Sequence, residues 1–255
     1  MKVDSRFRAA LRAAGVHLLC SVLVALVFAW VVLGLWYPYP YRELSGGREL
    51  FLLIVGVDVV CGPLLTLVLF NPIKPKRELW LDLSLVALVQ VMAMCYGAWT
   101  SWQARPLYLA FEVDRFQVVM SADIDHASLK PLPADLQPKP FGGVRTVALR
   151  RPESVEEKNA VLFEAIEGGR DYAERPEFYI PYEGDAALGS LRRAKPLDLF
   201  FQKYPDQKTA AEKIASDRGS NLAEWRYLPV VGRQDWVALL DSQGQIQGFL
   251  RGDGF

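Results

Sequence analysis

Three long runs of apolar residues dominate the first hundred positions of this chain. They cover about residues 16–36, 50–70 and 79–102, and the acids they contain are Asp58 in the second run and Asp82 in the third. At 1.5 Å of rise per residue, a helix of about 20 residues crosses the roughly 30 Å of hydrocarbon in a bilayer. The pattern therefore predicts three transmembrane helices.

The first run has one alternative interpretation, a cleaved signal peptide, because Lys2, Arg6, Arg8 and Arg12 precede it. A signal peptide has an apolar core of about 7 to 15 residues and ends at a cleavage site made of small residues. This run is longer, and it leads into the aromatic sequence WYPYPY instead of a cleavage site of small residues. We therefore expect the segment to be retained as a span.

The distribution of basic residues predicts the orientation of these helices, because Lys and Arg near the ends of spans mark the cytoplasmic side. The amino-terminal tail is basic, and the connection after the second span contains Lys74, Lys76 and Arg77. Both segments are therefore expected in the cytoplasm. We predict a multi-pass protein of the bacterial inner membrane, with a three-span domain at residues 1–102 and a periplasmic domain at residues 103–255.

Residues 103–255 have the composition of a globular domain, and their pattern predicts an α+β fold. Residues 105–119 are rich in β-forming residues and partly alternate, which predicts one long strand. Ser154 and Glu157 have the spacing of a capping box, which predicts a helix that ends at Gly168. Further predicted elements are a short strand at 144–151, an extended segment at 175–182, a helix at 206–219 and two strands about the turn 241–244.

The residues that most often bind metals or act as nucleophiles are scattered along the sequence. Cys20, Cys61 and Cys95 are predicted at different depths of the membrane, and His17 and His126 on opposite sides of it. Zinc sites and Ser-His triads need several such groups to converge. We therefore predict no catalytic residue, no metal site and no cofactor.

Two acidic pairs, Glu112 with Asp114 and Asp123 with Asp125, have members two residues apart, which would place each pair on one face of a strand. This spacing permits acid–base chemistry, but solvated acidic faces show the same pattern and are far more common. The 29 basic and 29 acidic residues give no net charge, which argues against nucleic acid as a partner. We predict that the protein is not an enzyme.

One carboxylate, Asp58, is predicted deep in the membrane, where an ionisable group costs about 2.5 kcal/mol or more and marks a candidate functional site. Gln90 on the third span lies at nearly the same depth, so its amide is expected to donate a hydrogen bond to Asp58. Gly62 and Pro63 follow in the second span and predict a close helix contact and a kink. These residues either clamp two helices together or form a notch for a partner's membrane helix.

Four stretches of the sequence resemble the TfpX/TfpZ family of type IV pilin accessory proteins. They are WYPYPY, LLIVGVDVVCGPLLTLVLFNPIK, LDLSLVALVQVMAMCYGAW and RPLYLAFEVDRFQVV, and together they cover about residues 30–120. The resemblance implies an inner-membrane protein that assists a particular major type IV pilin in its stability, its assembly or the surface display of pili. It also implies that the protein is not an enzyme.

From the residues and this resemblance together, the expected partners are a cognate major type IV pilin, the pilus assembly machinery and membrane lipid. We expect a pilin helix to pack near Asp58, Gly62, Pro63 and Gln90, while the periplasmic domain contacts the pilin head. Two alternative functions are a membrane-tethered sensor whose periplasmic domain binds a ligand, and a membrane enzyme with a pocket lined by acids around His126. The cytoplasmic side offers only a short tail and a short loop, so such a sensor would need a signalling partner.

Overall fold

The structure, a computed structural model, describes residues 2–139 and 141–255. The chain forms two compact units, one made of residues up to 36 with residues 47–103, and one made of residues 37–46 with residues 104–255. Residues 37–46, here called the connector, thus belong to the second unit although they lie between two helices of the first. Their position in the sequence had placed them in the three-span domain.

Long helices make up the first unit, and the segments Arg6–Trp36, Gly47–Leu69 and Lys76–Gln103 are long and apolar enough to cross a membrane. The first and third predicted spans fall within these segments, and the second span, predicted at 50–70, ends one residue beyond its segment. In chain order, the first helices are α1 (Lys2–Ala29), which a π-helix (Trp30–Trp36) continues, α2 (Tyr41–Leu44) in the connector, α3 (Gly47–Leu69) and α4 (Lys76–Gln103).

Small residues allow the helices of the first unit to approach one another closely. α3 packs against both α1 and α4. The buried residues of α1 include Ala10, Ala14 and Ala25. On α4, a Cβ atom at Gly97 would lie 2.6 Å from a methyl group of Ile54 on α3. Close approach at small residues is typical of helix packing in membranes, where no hydrophobic effect drives helices together.

A mixed β-sheet forms the frame of the second unit. Its strands are β1 (Pro106–Glu112), β2 (Arg115–Met120), β3 (Arg145–Leu149), β4 (Tyr179–Pro181), β5 (Lys195–Pro196), β6 (Arg226–Val231), β7 (Trp236–Leu240) and β8 (Ile246–Arg251). In the part of the chain that the structure describes, the strand order is β4-β3-β1-β2-β6-β7-β8, and β5 pairs with β6. β1 is parallel to β3 and β2 to β6, while the other pairs are antiparallel.

Helices pack on this sheet to different extents. They are α5 (Val155–Ile166), α6 (Asp185–Arg193), α7 (Leu197–Lys203) and α8 (Gln207–Asp217). Phe200 of α7 and Ala211 and Ala215 of α8 are buried in one cluster with Val237 and Leu239 of β7. α7 and α8 therefore cover this end of the sheet, whereas α5 has no buried residue.

Several predicted elements of the second unit are confirmed. The helix predicted after Ser154 is α5, and the Ser154 hydroxyl accepts a hydrogen bond from the Glu157 amide at 3.0 Å. The Glu157 carboxylate does not complete the capping box, because it accepts from the Glu153 amide and from Arg150 instead. The helix predicted at 206–219 is α8, and the two strands predicted at the carboxyl end are β7 and β8.

The single long strand predicted at residues 105–119 is wrong. The chain reverses at Val113 and Asp114, so that β1 and β2 form an antiparallel hairpin. Val113 has a φ of 53°, and the Asp114 amide donates to the Glu112 carbonyl at 2.6 Å. A β-branched residue rarely adopts positive φ, and Asp114 is the one common turn residue in this turn, without Gly, Asn or Pro beside it. The sequence therefore offered only a weak turn signal at this position.

The connector is packed into the core of the second unit. Tyr41 and Leu44 are buried in the same cluster as Trp236 of β7. The Arg233 amide, in the turn between β6 and β7, donates to the Leu44 carbonyl at 2.8 Å. Arg251 of β8 forms an ion pair with Glu43. Backbone, apolar and ionic contacts thus fasten the connector to the sheet.

Candidate functional site

Asp58 of α3 and Gln90 of α4 meet as predicted. The Gln90 side-chain nitrogen Nε2 lies 3.2 Å from Asp58 Oδ1 and 3.2 Å from the Asp58 carbonyl oxygen. The two helices run in opposite directions from a short loop, and their constant rise brings these residues to the same level. One amide group therefore donates to both the side chain and the backbone of Asp58.

Gly62 lies one helical turn after Asp58 and makes room for this contact. A Cβ atom at Gly62 would lie 2.6 Å from Gln90 Cδ and still closer to the side-chain nitrogen. Any side chain at position 62 would therefore push the Gln90 amide away from Asp58. Pro63 lies inside α3, which continues as a helix to Leu69. The kink predicted at Pro63 stays a prediction.

Asp58 and Gln90 lie between two grooves on the surface of the first unit. One groove, with a volume of about 390 Å³, runs between α3 and α4. The other, of about 360 Å³, also includes residues of α1. Val57 lines the first groove and Val91 the second, and most of the other lining side chains are also apolar. The carboxylate and the amide thus form a polar patch shared by two apolar grooves.

A second polar contact within the first unit joins α1 to α3. His17 Nδ1 lies 2.5 Å from the hydroxyl oxygen of Thr66, which is buried. The sequence pattern indicated no partner for His17 and no role for Thr66. No local pattern could pair two residues 49 positions apart, because the pairing depends on how α1 packs against α3.

The candidate residues of the second unit, one histidine and several acids, make local contacts within the fold. His126 is exposed, and its Nε2 lies 3.1 Å from the Ser121 carbonyl oxygen. Asp123 and Asp125 each accept a hydrogen bond from a nearby backbone amide at 2.9 Å. Burial raises the pKa of Glu112, and the charge of Asp171 adds to this effect. These acids therefore serve turns or lie at strand ends rather than surrounding the histidine.

Within residues 2–139 and 141–255, no group of three or more His, Cys, Asp or Glu side chains is placed to hold a metal ion. Cys20, Cys61 and Cys95 are free thiols on the exposed surfaces of three different helices. The Asp58 and Gln90 pair therefore remains the candidate site of the first unit.

Replacing Gly62 with alanine should weaken the packing of α3 on α4 by about 0.6 to 2 kcal/mol, the usual worth of a polar contact between membrane helices. The reason is displacement of the Gln90 amide from Asp58. Stability is measured by unfolding the full chain in bicelles. Gly56→Ala is the matched control on the same helix, because a Cβ there meets nothing within 4 Å.

A double-mutant cycle tests the cause of this effect. In a Gln90→Ala background, Gly62→Ala should cost much less, because the group that the new methyl displaces is already gone. Equal costs in the two backgrounds would show that Gly62 acts through other contacts.

The amino-acid sequence of this chain matches a known family of proteins. The family described as "Fimbrial assembly protein FimB" matches residues 5–46. Two proteins of Dichelobacter nodosus, the fimbrial assembly proteins of serogroup E1 and of serogroup I, are each 34% identical over 98% of this chain and 98% of their own length. The fimbrial assembly protein of serogroups C1 and C2 from the same organism is 41% identical over 47% of this chain and 91% of its own length.

No solved structure matches the chain. The family therefore rests on sequence, and the two full-length relatives extend the similarity through both compact units, well beyond residues 5–46. On this similarity, the chain belongs to the family of fimbrial assembly proteins.

Proposed function

We propose that this protein is a non-enzymatic accessory protein of type IV fimbrial assembly that assists a cognate major pilin. The observation that carries the proposal is the 34% identity with a fimbrial assembly protein over 98% of both chains. The resemblance of four stretches to the TfpX/TfpZ family supports the narrower assignment, in which the protein serves one particular pilin and also meets the pilus assembly machinery.

The proposed location is the bacterial inner membrane, with residues 103–255 in the periplasm. Large apolar side chains such as Leu53, Val68 and Leu81 are exposed on the long helices, as expected of surfaces that contact lipid. Basic residues of the tail and of the loop before α4 support a cytoplasmic position for both. Lys74 pairs with Asp82 at 2.6 Å, but acids contribute little to this rule, so Lys74, Lys76 and Arg77 all support the cytoplasmic position.

The proposed contact in the membrane is a pilin helix in the grooves beside Asp58 and Gln90. Apolar grooves accept the side chains of an apolar helix, and the close approach at Gly62 and Gly97 keeps α3 and α4 in a fixed arrangement. An ionised carboxylate has about four acceptor positions, and the Gln90 amide fills part of this capacity. A donor group on the partner helix at this depth would therefore add stability.

Site-specific photocrosslinking in living cells tests this proposal. A photoreactive residue is placed at Val57 or Val91, which line the two grooves, and at Leu85 as an exposed control on α4. We expect adducts with the major pilin from at least one groove position and none from Leu85. Absence of pilin adducts from both grooves, combined with normal piliation of an Asp58→Ala strain, would remove the proposed site and partner.

A further inference from the structure

The helix α5 (Val155–Ile166) exposes the side that a surface helix normally buries. Val155, Leu162, Phe163 and Ile166 are 67%, 52%, 61% and 71% exposed. At 3.6 residues per turn, these positions lie within an arc of about 100°. They therefore form an exposed apolar strip, here called the α5 strip, which Asn159 interrupts between Val155 and Leu162.

Ion pairs on the opposite side of α5 hold the helix in this orientation. Glu157 accepts hydrogen bonds from both terminal nitrogens of Arg150, at 2.8 and 3.2 Å. Two turns later, Glu164 lies 2.8 Å from the guanidinium of Arg175, whose side chain is buried. These hydrogen bonds hold the pKa of each carboxyl below its usual range. The exposure of the strip thus results from specific contacts on the polar side.

The charges around the α5 strip favour a protein over a lipid surface. Glu156 and Glu167 are exposed beside the strip, whereas Lys158 is the basic residue within the helix. Helices that lie on membranes carry Lys and Arg beside their apolar face, because the lipid surface is anionic. Acids at this edge would be repelled by such lipids. They complement a protein surface whose apolar centre is bordered by Lys or Arg.

We propose that the α5 strip is a docking surface for the periplasmic head of the cognate pilin, which receives it in an apolar groove with basic residues at its edge. This inference rests on the proposed function, since it names the part of the second unit that meets the same partner. Phe163 is the central anchor, because buried aromatic side chains contribute strongly at interfaces. An apolar helix face laid into a groove is a common recognition mode.

Photocrosslinking of the full chain in native membranes containing the cognate pilin tests the inference. A photoreactive residue at position 163 should give a pilin adduct. The control position is Leu199 on α7, which is 52% exposed and apolar but lies outside the strip. The variant Leu162→Glu/Ile166→Glu should reduce the adduct from position 163 about tenfold or more, since each lost anchor weakens binding strongly.

Charge variants test the predicted basic edge of the partner. Glu156→Lys/Glu167→Lys should reduce the pilin adduct, whereas Lys158→Glu should leave it unchanged or increase it. Unchanged thermal unfolding of each variant checks that the second unit remains folded, which we expect because the replaced side chains are exposed. A reduction by both charge variants alike would contradict the predicted complementarity.

The identity of the crosslinked adduct at position 163 shows which molecule binds the α5 strip. An adduct with lipid or with a second copy of this chain, in place of pilin, would overturn the inference. The same holds if pilin adducts form at Val57 or Val91 but not at position 163, and the proposed function then stands. Loss of pilin adducts at all these positions would instead contradict the proposed function itself.

Discussion

Replacing Leu44 with alanine is expected to lower the free energy of unfolding of the second unit by about 2 to 5 kcal/mol. Leu44 lies in the connector, yet its side chain is fully buried in a cluster that includes Phe116 and Leu228. The variant loses the transfer free energy of the removed methyl groups and leaves a cavity in a packed core. The backbone hydrogen bond from the Arg233 amide to the carbonyl of residue 44 can persist in the variant. The change in the free energy of unfolding therefore reports the loss of the Leu44 side chain.

Hydrogen exchange of the full chain in detergent measures this effect at the amides of β6 and β7, which pack beside the connector. The matched control is Leu199→Ala, which truncates a leucine that is exposed and is expected to change stability by less than about 0.5 kcal/mol. Equal protection in the two variants would mean that the connector does not stabilise the sheet.

The role of the connector was not predictable from its own sequence. Its aromatic residues match those that anchor helices at a membrane interface, and that interpretation needs no knowledge of the second unit. One packing partner of Leu44 is Gly232, nearly two hundred positions later, where a Cβ would lie 2.9 Å from the Leu44 carbonyl oxygen. Such a contact depends on tertiary structure, which local patterns do not encode.

The contact between Asp58 and Gln90 was predictable because helix geometry is regular. A constant rise places residues of consecutive spans at calculable depths, so two polar groups at one level are expected to meet. Strand turns lack this regularity, and the reversal at Val113 was missed because its turn residues are unusual. The exposure of Phe163 was missed for a different reason, since an amphipathic pattern predicts that the apolar side of a helix is buried.

Replacing Asp58 with leucine should separate anchoring of the chain from its role in pilus assembly. On insertion scales, aspartate at the centre of a span costs about 2.5 to 3.5 kcal/mol and leucine gains about 0.3 to 0.6. The variant should therefore insert at least as well as the natural chain. Loss of the carboxylate removes the acceptor proposed for the pilin helix, and truncating one partner of a buried charged hydrogen bond weakens binding by about 2 to 5 kcal/mol.

The expected result is a chain at normal or higher abundance in membranes and surface pili reduced about tenfold or more. Immunoblots of the membrane fraction and of sheared pili measure the two quantities. Val60→Leu is the matched control, because Val60 is exposed and lies on the same helix close to Asp58. If the Asp58→Leu strain keeps its pili, Asp58 serves only as a clamp between α3 and α4. If the Asp58→Leu strain loses its pili, comparison with Asp58→Asn separates the two properties of the carboxylate, because the amide retains an acceptor oxygen for Gln90 but cannot carry a negative charge.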